Sequence, residues 1–376
     1  MYLSNKYNKI APSGTVAFTT LIGELRKAGN DVVDLAVGEP EFAVDAPILD
    51  ATCQALNNGK FRYGPVAGLP ELRERLAREF DGWEDRNLII TNGAKQGLYE
   101  VFQVVCGEDR EIIVPAPCWV SFEHQIRLAG GVPILVDTKQ HQLDVDAMAQ
   151  AITPRTAAIL INSPNNPTGA VYDRRDIARV VEVCRQKGLW LISDEAYSAF
   201  VYGLNSFTSP FAFPEIRSQL IVVRSFSKTY AMTGFRIGYV AAPEEVITRL
   251  TTLQGHLTGN VCSFAQYGAL QATRLSAKII EKRRTVYDAR CSLAVQLCRE
   301  IFDLIEPQGA FYLFPRIDRY QDRFADDRDL AHFLLEKANV AVVPGKFFGA
   351  SGHVRISFAT SDERLRQGFA QMKDIL

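Results

Sequence analysis

The sequence predicts an α/β protein with a mostly parallel central sheet, and three observations support this class. Short apolar runs rich in Ile, Val and Leu follow one another between residues 87 and 243. Amphipathic helical patterns separate several of them, and small or polar residues follow the ends of most runs. Unbroken apolar runs are typical of strands buried on both faces, and strands that alternate with helices favour parallel pairing.

The elements of this sheet can be placed in chain order. Two helical patterns are clear, at 95–106 and 174–188, and the second ends at Gly188, a residue type suited to a helix C-cap. The predicted strands are NLIIT (87–91), EIIVPAP (111–117), GVPILVD (131–137), TAAILINSP (156–164), GLWLISDE (188–195), LIVVRSFS (220–227) and RIGYVAAP (236–243).

The chain changes character after about residue 285, where a helical pattern at 286–302 is followed by short hairpin-like segments. With 376 residues it is long enough for two domains. We therefore predict a large α/β domain over 43–285 and a smaller α+β domain over 286–376. Residues 1–42 are predicted to form an N-terminal arm and part of the small domain.

Composition excludes several classes of function. The chain has 42 Lys and Arg against 43 Asp and Glu, so no basic field predicts binding to nucleic acid or to an anionic membrane. No apolar stretch is long enough to cross a bilayer, and the N-terminus is a poor secretory signal. The seven cysteines never form a C-x-x-C pair, and the five histidines do not cluster. We expect free thiols, a cytoplasmic location and no metal site.

Polar groups that follow the predicted strands are the candidate functional residues, because ligands bind outside the carboxyl ends of the strands in an open α/β sheet. If the sheet is parallel, these loops meet at one edge. The loops are TNGAKQ (91–96), APCW (116–119), NSPNNPTG (162–169), SDEAY (193–197) and SFSK (225–228).

Lys228 is the most informative of these residues. A lysine that leaves a buried strand is costly unless its amine is used, and apolar surroundings lower its pKa as Schiff-base chemistry requires. Ser225, Ser227 and Arg236 offer hydroxyls and a guanidinium for a phosphate. The helix that begins near Lys95 offers free backbone N–H groups. With Asp194 available to hold a protonated ring nitrogen, these are the requirements of pyridoxal phosphate.

The sequence resembles the class I/II aminotransferases of pyridoxal-phosphate fold type I, in the branch of bacterial aspartate aminotransferases. The resemblance runs end to end and rests on motifs that match in order, whereas a lone S-x-S-K would be weak. These motifs are VGEPEF, YGPVAGLPELRE, NSPNNPTGAVY, SDEAY, SFSKTYAMTGFRIGY, GAFY, VVPG and VRISFAT.

The resemblance implies a role for individual residues toward the cofactor, pyridoxal 5'-phosphate. Lys228 would form the Schiff base and later move the proton at the substrate Cα. Asp194 would pair with the pyridinium N–H. The other implied contacts are hydrogen bonds to the phenolic oxygen from Tyr197 and Asn166, stacking by Trp119, and phosphate binding by Ser225, Arg236, the backbone at Ala94 and Lys95, and Tyr63 of the partner subunit.

The resemblance also implies how the substrate is held. Arg355 would bind the α-carboxylate by a two-point contact, helped by Asn166 and the backbone at Gly38. Lys95, with Ser13 and Thr15 of the PSGTV segment, would hold an acidic side chain, which favours aspartate or glutamate with a 2-oxo acid as acceptor. A site that takes Tyr63 from a neighbour implies a homodimer.

Three departures from the family pattern affect the expected specificity. Cys118 and Phe122 stand where tyrosines are common, and the segment 257–263, LTGNVCS, lacks the usual Asn-Pro or Ser-Pro. They leave the cofactor residues intact but leave open which side chains the pocket accepts.

Taken one at a time, the candidate residues have ordinary structural explanations. Asp194 could cap a helix, NNPTG could be a turn, and Arg236 or Arg355 could be a surface arginine. Trp119 and the tyrosines could belong to the core or its boundary. These explanations would have to hold together at five strand ends, which favours a common site.

Three classes of function therefore remain at this point. An aminotransferase acting on aspartate or glutamate is favoured. An enzyme of different substrate range, or one that eliminates a β-substituent or oxidises an amino acid on the same scaffold, is the alternative. A non-catalytic binding module is disfavoured by the intact set of Lys228, Asp194 and Arg236.

Overall fold

The computed structural model describes residues 14–376, with side chains described from residue 20 onward. The helices are α1 (Gly14–Lys27), α2 (Ala46–Asn57), α3 (Pro70–Ala77), α4 (Gly93–Val105), α5 (Ser121–Leu128), α6 (Val145–Gln150), α7 (Arg174–Lys187), α8 (Phe226–Thr229), α9 (Glu244–Leu257), α10 (Ser263–Ala272), α11 (Ala277–Arg299), α12 (Asp327–Ala338) and α13 (Asp362–Ile375).

The strands are short. They are β1 (Val33–Asp34), β2 (Leu88–Thr91), β3 (Glu111–Ala116), β4 (Val132–Asp137), β5 (Thr156–Asn162), β6 (Trp190–Asp194), β7 (Leu220–Ser225), β8 (Gly238–Ala241), β9 (Tyr312–Leu313), β10 (Val340–Ala341), β11 (Val343–Pro344) and β12 (Val354–Ser357).

A seven-stranded sheet forms the centre of the fold, in the order β2-β8-β7-β6-β5-β3-β4. Every strand in it except β8 runs in the same direction, and β8 pairs antiparallel with both of its neighbours. Strands β2, β3, β5 and β8 are buried along their whole length, whereas β4, at one edge of the sheet, is only partly buried. The fold class predicted from the apolar runs is therefore confirmed.

The predicted strands and helices lie where the sequence pattern placed them, within one or two residues for most strands. α7 ends at Gly188, which adopts a left-handed conformation with φ of 65°, as the C-cap prediction requires. α11 is longer than its predicted counterpart and begins at Ala277 rather than near 286.

Two smaller sheets lie in the C-terminal part of the chain. β9, β11 and β12 form a three-stranded antiparallel sheet, and β1 pairs in parallel with β10. The pairing of β1 with β10 joins residues 33–34 to the C-terminal region. The boundaries at 42/43 and 285/286 stay a prediction.

The hydrophobic core has three clusters of buried residues. Two lie on the large sheet, centred on Ile90 with Val222 and on Ile89 with Val223. Neighbouring residues of one strand belong to different clusters because successive side chains point to opposite faces of a sheet. The third cluster packs α11, α12 and α13 against the small sheets. No helix in residues 14–376 is both long and apolar enough to span a membrane.

Candidate active site

A cavity of about 480 Å³ lies at the carboxyl ends of β5, β6 and β7, where the strand-end loops were expected to meet. Its lining contains eleven of the residues predicted for the site: Gly38, Ala94, Lys95, Trp119, Asn166, Asp194, Tyr197, Ser225, Lys228, Arg236 and Arg355. The convergence predicted from the order of strands and loops is thus present, although the roles of the residues remain predictions.

Lys228 lies on the short helix α8, which continues directly from β7. Its Nζ atom donates a hydrogen bond to the carbonyl oxygen of Gly38 at 2.5 Å. Burial lowers the pKa of the amine to about 8, and the charges of Arg355 and Arg236 act in the same direction. A lysine in this state carries a neutral, nucleophilic amine at only mildly alkaline pH.

Asp194 is the last residue of β6 and is 5% exposed. One of its carboxylate oxygens accepts a hydrogen bond from the backbone N–H of Ala196 at 3.1 Å, so it orders a turn and does not cap a helix. Burial raises the pKa of this carboxyl to about 7, against the opposing effect of that hydrogen bond. A cationic partner would keep the carboxyl charged, which is what a protonated ring nitrogen supplies.

The start of α4 and Arg236 form a cradle for an anion. A Cβ atom at Gly93 would lie 2.6 Å from Nη2 of Arg236, and one at Gly238 would clash with the backbone N of Ala94. Gly93 has φ of 77°, a conformation that glycine adopts without strain. Ser225 lies beside them, with its Oγ accepting from the N–H of Ser227 at 3.1 Å. Backbone N–H groups, a hydroxyl and a guanidinium fit a phosphate.

Arg355 has one unpaired nitrogen facing into the protein. It is 5% exposed, with Nη1 donating to Oδ1 of Asn166 at 2.9 Å and Nη2 to the carbonyl oxygen of Ala36 at 2.7 Å. Its Nε is buried and has no hydrogen-bond partner among residues 14–376. Arg355 itself lines the cavity, and the planar fork of a guanidinium suits a carboxylate.

Lys95 and Trp119 form one wall of the cavity. The Lys95 Nζ lies 5.2 Å from the centroid of the Trp119 ring, and burial lowers the pKa of its amine, with Arg236 adding to the effect. The ring of Trp119 meets that of Phe122 edge to face at 5.4 Å.

The three departures from the family pattern do not line this cavity. Cys118 is 2% exposed, Phe122 is fully buried, and both belong to the core cluster beneath Trp119. The segment 257–263 joins α9 to α10, and none of its residues lines the cavity of its own chain.

Three predicted site residues are not brought together with the others. Tyr63 is 100% exposed and lies outside the cavity of its own chain, so its role in a partner subunit stays a prediction. Ser13 lies outside the described residues. Thr15 lies in α1, and its side chain is outside the described part.

Several residues that line the cavity were missed as candidates. Tyr312 and Glu39 come from the motifs GAFY and VGEPEF, which the sequence analysis quoted without assigning these residues a role. Asn162, the last residue of β5, donates to the backbone oxygen of Asp194 at 3.1 Å. Asn162 could have been found from its position at a strand end, whereas Tyr312 reaches the cavity from a different sheet.

Comparisons with known proteins identify the family of this chain and several of its relatives. A sequence model of the family described as "Aminotransferase class I and II" matches residues 30–371. The chain is 41% identical to a protein of Aquifex aeolicus named probable aspartate/prephenate aminotransferase, over 100% of this chain and 98% of that one. It is 40% identical to the aspartate aminotransferase of Geobacillus stearothermophilus, over 97% and 96% of the two chains. The solved structure of Thermus thermophilus aspartate aminotransferase with maleate matches with a TM-score of 0.96, at 36% identity and 100% of both chains.

Proposed function

This chain belongs to the class I and II aminotransferase family, and we propose that it uses pyridoxal 5'-phosphate to move an amino group from aspartate or glutamate to a 2-oxo acid. The observation that carries the proposal is the buried amine of Lys228, whose pKa burial lowers to about 8, in one cavity with Asp194 and Arg355.

The residues present fit the cofactor. When bound, pyridoxal phosphate supplies an electron-accepting ring and an aldehyde carbon that carries the amino group between substrates. Arg236, Ser225 and the backbone at Ala94 and Lys95 would hold its phosphate. Asp194 would hold the ring N–H.

The remaining groups act on the ring and the reacting atoms. Trp119 would cover one face of the ring, and Tyr197 with Asn166 would bind its phenolic oxygen. Lys228 would hold and move the proton at the substrate Cα, a task that suits an amine whose pKa burial lowers to about 8.

Substrate binding would use the other end of the cavity. Arg355 would take the α-carboxylate beside Asn166 and the backbone of Gly38. Lys95 would take the distal carboxylate of an acidic side chain, and Ser13 and Thr15 would add hydroxyls. The relatives named aspartate aminotransferase and aspartate/prephenate aminotransferase support a dicarboxylic substrate such as aspartate.

We also propose that the protein is a cytoplasmic homodimer with shared sites. Tyr63 and Phe61, 100% and 62% exposed, lie in the exposed segment 57–65, which offers an apolar contact for a second copy. A second subunit would then bring its Tyr63 to the phosphate. The seven cysteines are free, which accords with a reducing compartment.

The proposal is tested by the absorption spectrum of the purified protein. Before addition we expect the visible band of a bound pyridoxal Schiff base. Addition of L-aspartate without a 2-oxo acid should convert it to the pyridoxamine spectrum, and 2-oxoglutarate should restore it. A band that aspartate leaves unchanged would overturn the acidic substrate. Loss of ammonia without need for a 2-oxo acid would favour the eliminating or oxidising alternative.

A further inference from the structure

Tyr312 joins two parts of the site through its hydroxyl. It lies on β9 in the three-stranded sheet and is 1% exposed. Its Oη atom is 2.8 Å from the Oη of Tyr197, which follows β6 of the large sheet, and the two rings meet edge to face at 5.7 Å. Burial raises the pKa of both phenols, so both keep their protons at neutral pH.

Counting protons fixes the direction of this hydrogen bond once Tyr197 acts on the cofactor. Each hydroxyl carries one proton, and the 2.8 Å contact between the two oxygens uses one of them. If Tyr197 donates its proton to the phenolic oxygen of the cofactor, Tyr312 has to donate in the contact between the tyrosines. The Tyr197 hydroxyl is then both oriented and polarised, because a hydroxyl that accepts one hydrogen bond becomes a stronger donor in the next.

The ring of Tyr312 has a separate contact. The guanidinium carbon of Arg355 lies 4.5 Å from the centroid of this ring and 4.9 Å from that of Phe348. Aromatic faces attract a guanidinium and restrict its rotation. The two rings thus restrict the orientation of the Arg355 guanidinium. Its Nε has no hydrogen-bond partner within residues 14–376.

The Tyr312 hydroxyl also explains why residue 38 is a glycine. A Cβ atom there would clash with the Tyr312 hydroxyl, with its ring carbons 3.3 Å and 3.5 Å away. The carbonyl of this same residue accepts the hydrogen bond of Lys228. The backbone at Gly38 therefore reaches the site only because it has no side chain and the tyrosine occupies that space.

We propose that Tyr312 is a positioning residue, whose hydroxyl orients Tyr197 toward the cofactor and whose ring aligns Arg355 for the substrate carboxylate. This inference rests on the proposed function. It assigns two separable tasks to one side chain, and two substitutions can remove them one at a time.

Tyr312→Phe removes the hydroxyl and keeps the ring. A weaker hydrogen bond from Tyr197 stabilises the phenolate form of the cofactor less, so the pH midpoint of the absorption change of the bound cofactor should rise. One hydrogen bond of this kind corresponds to a shift of about half to one pH unit. The dissociation constant of maleate, an unreactive dicarboxylate, should change less than about twofold because the ring remains.

Tyr312→Leu removes the ring as well. It should raise the pH midpoint as Tyr312→Phe does and, in addition, weaken maleate binding by about fivefold. Thermal unfolding of each variant shows whether it is folded under the conditions of the titration.

Tyr202→Phe is the matched control. Tyr202 is a buried tyrosine of the same core cluster, 3% exposed, and its hydroxyl donates to the backbone oxygen of Ala310 without lining the cavity. It also loses one buried hydrogen bond, so a merely structural effect of Tyr312→Phe would appear here too. We expect the pH midpoint of this control to match that of the unaltered protein.

The outcomes separate this inference from the proposed function. If the unaltered protein shows no cofactor band that titrates, the proposed function fails first. If that band titrates normally and Tyr312→Phe leaves its midpoint within about 0.2 unit of the Tyr202→Phe control, Tyr312 does not orient Tyr197. Unchanged maleate affinity in a folded Tyr312→Leu variant would overturn the role of the ring.

Discussion

The two sides of the cavity are built in different ways. The strand-end side, formed by Asp194, Ser225 and Lys228, comes from the adjacent parallel strands β6 and β7 and the turn of helix that follows. The carboxylate side, formed by Gly38, Tyr312 and Arg355, comes from a loop and from the antiparallel strands β9 and β12. The strand-end side thus belongs to the large sheet, whereas the carboxylate side combines a loop with the small antiparallel sheet.

This difference suggests a division of labour. The strand-end side shifts pKa values by burial, as the values of about 8 for Lys228 and about 7 for Asp194 indicate. The carboxylate side offers donors with fixed directions, and no shift in charge state is needed there. We therefore expect substitutions on the first side to affect chemistry and cofactor, and those on the second side to affect mainly substrate binding, except at Tyr312, whose hydroxyl contacts Tyr197.

Lys228→Ala should have the largest effect. It removes both the proposed attachment point of the cofactor and the group proposed to move the proton, so turnover should fall by at least about 10⁴-fold. Steady-state assays with aspartate and 2-oxoglutarate measure this loss. Turnover within tenfold of the unaltered protein would contradict the comparison, because the strand-end side would then not carry the residues that perform the reaction.

The same lysine gives a prediction about pH. Burial keeps the pKa of Lys228 near 8, below that of an ordinary lysine, so the fraction of neutral amine rises as the pH is raised through about 8. The rate at which the cofactor-free protein captures pyridoxal phosphate should rise accordingly and level off above that pH. A rate that keeps rising to pH 10 would show an unperturbed lysine.

Asp194→Asn should come next, with turnover lowered by about 10³-fold, because the charge proposed to hold the pyridinium proton would be lost. The unaltered carboxyl titrates near pH 7 when no cofactor is bound, so cofactor affinity should fall as the pH drops below 7. In Asp194→Asn this pH dependence should be absent. Equal pH dependence in both proteins would assign the titration to another group.

Arg355→Ala tests the carboxylate side. Loss of two charge-assisted hydrogen bonds should lower kcat/KM by about 10²-fold for every amino acid, mainly through KM. Arg355→Lys keeps the charge but loses the two-point contact. Its kcat/KM should therefore lie between that of the unaltered protein and that of Arg355→Ala. A loss confined to kcat would contradict the proposed division between the two sides.

The strand-end side could be predicted from the sequence because it follows from local patterns. Apolar runs mark β6 and β7, parallel strands end at one edge, and Asp194 and Lys228 are the polar residues found there. The direction of β8 could not be predicted, because an apolar run has the same pattern in a parallel or an antiparallel strand.

The carboxylate side depends on contacts between residues that are far apart in sequence. Arg355 was found only through the resemblance to a family, since nothing local distinguishes it from a surface arginine. The contact between the Tyr312 and Tyr197 hydroxyls spans 115 residues and requires both sheets to be in place. For the same reason the burial of Cys118 and Phe122 outside the cavity could not be seen in the sequence.

Lys95 belongs to neither side. Its backbone lies in the first turn of α4, and its amine faces the ring of Trp119. Lys95→Met should lower kcat/KM for aspartate by about fivefold relative to that for alanine, as expected for a partly exposed ion pair. The ratio of the two substrates is the control, because a general loss affects both. Equal losses would mean that Lys95 serves the cofactor or the fold.

Glu100 should give the smallest effect on activity, and it tests whether the packing of α4 can change without affecting the chemistry of the cavity. It lies on α4, fully buried, and its Oε1 accepts from Gln96 at 2.7 Å. Its Oε2 has no hydrogen-bond partner within residues 14–376. Burial raises the pKa of this carboxyl to about 7, so the folded protein binds its proton more tightly than the unfolded chain does.

Stability should therefore fall as the pH rises from about 4.5 to 7, the window between the unfolded and folded pKa values of Glu100. Glu100→Gln keeps the shape of the protonated acid and removes this titration, so above pH 7 it should unfold with a free energy higher by about 1–3 kcal/mol. Urea unfolding at pH 5 and pH 8 measures the difference, with Glu336→Gln at an exposed position of α12 as control.

Because Glu100 does not line the cavity, kcat/KM of Glu100→Gln for aspartate should stay within about twofold of that of the unaltered protein. A larger change in kcat/KM would mean that the packing of α4 affects the residues proposed to bind the cofactor and the substrate.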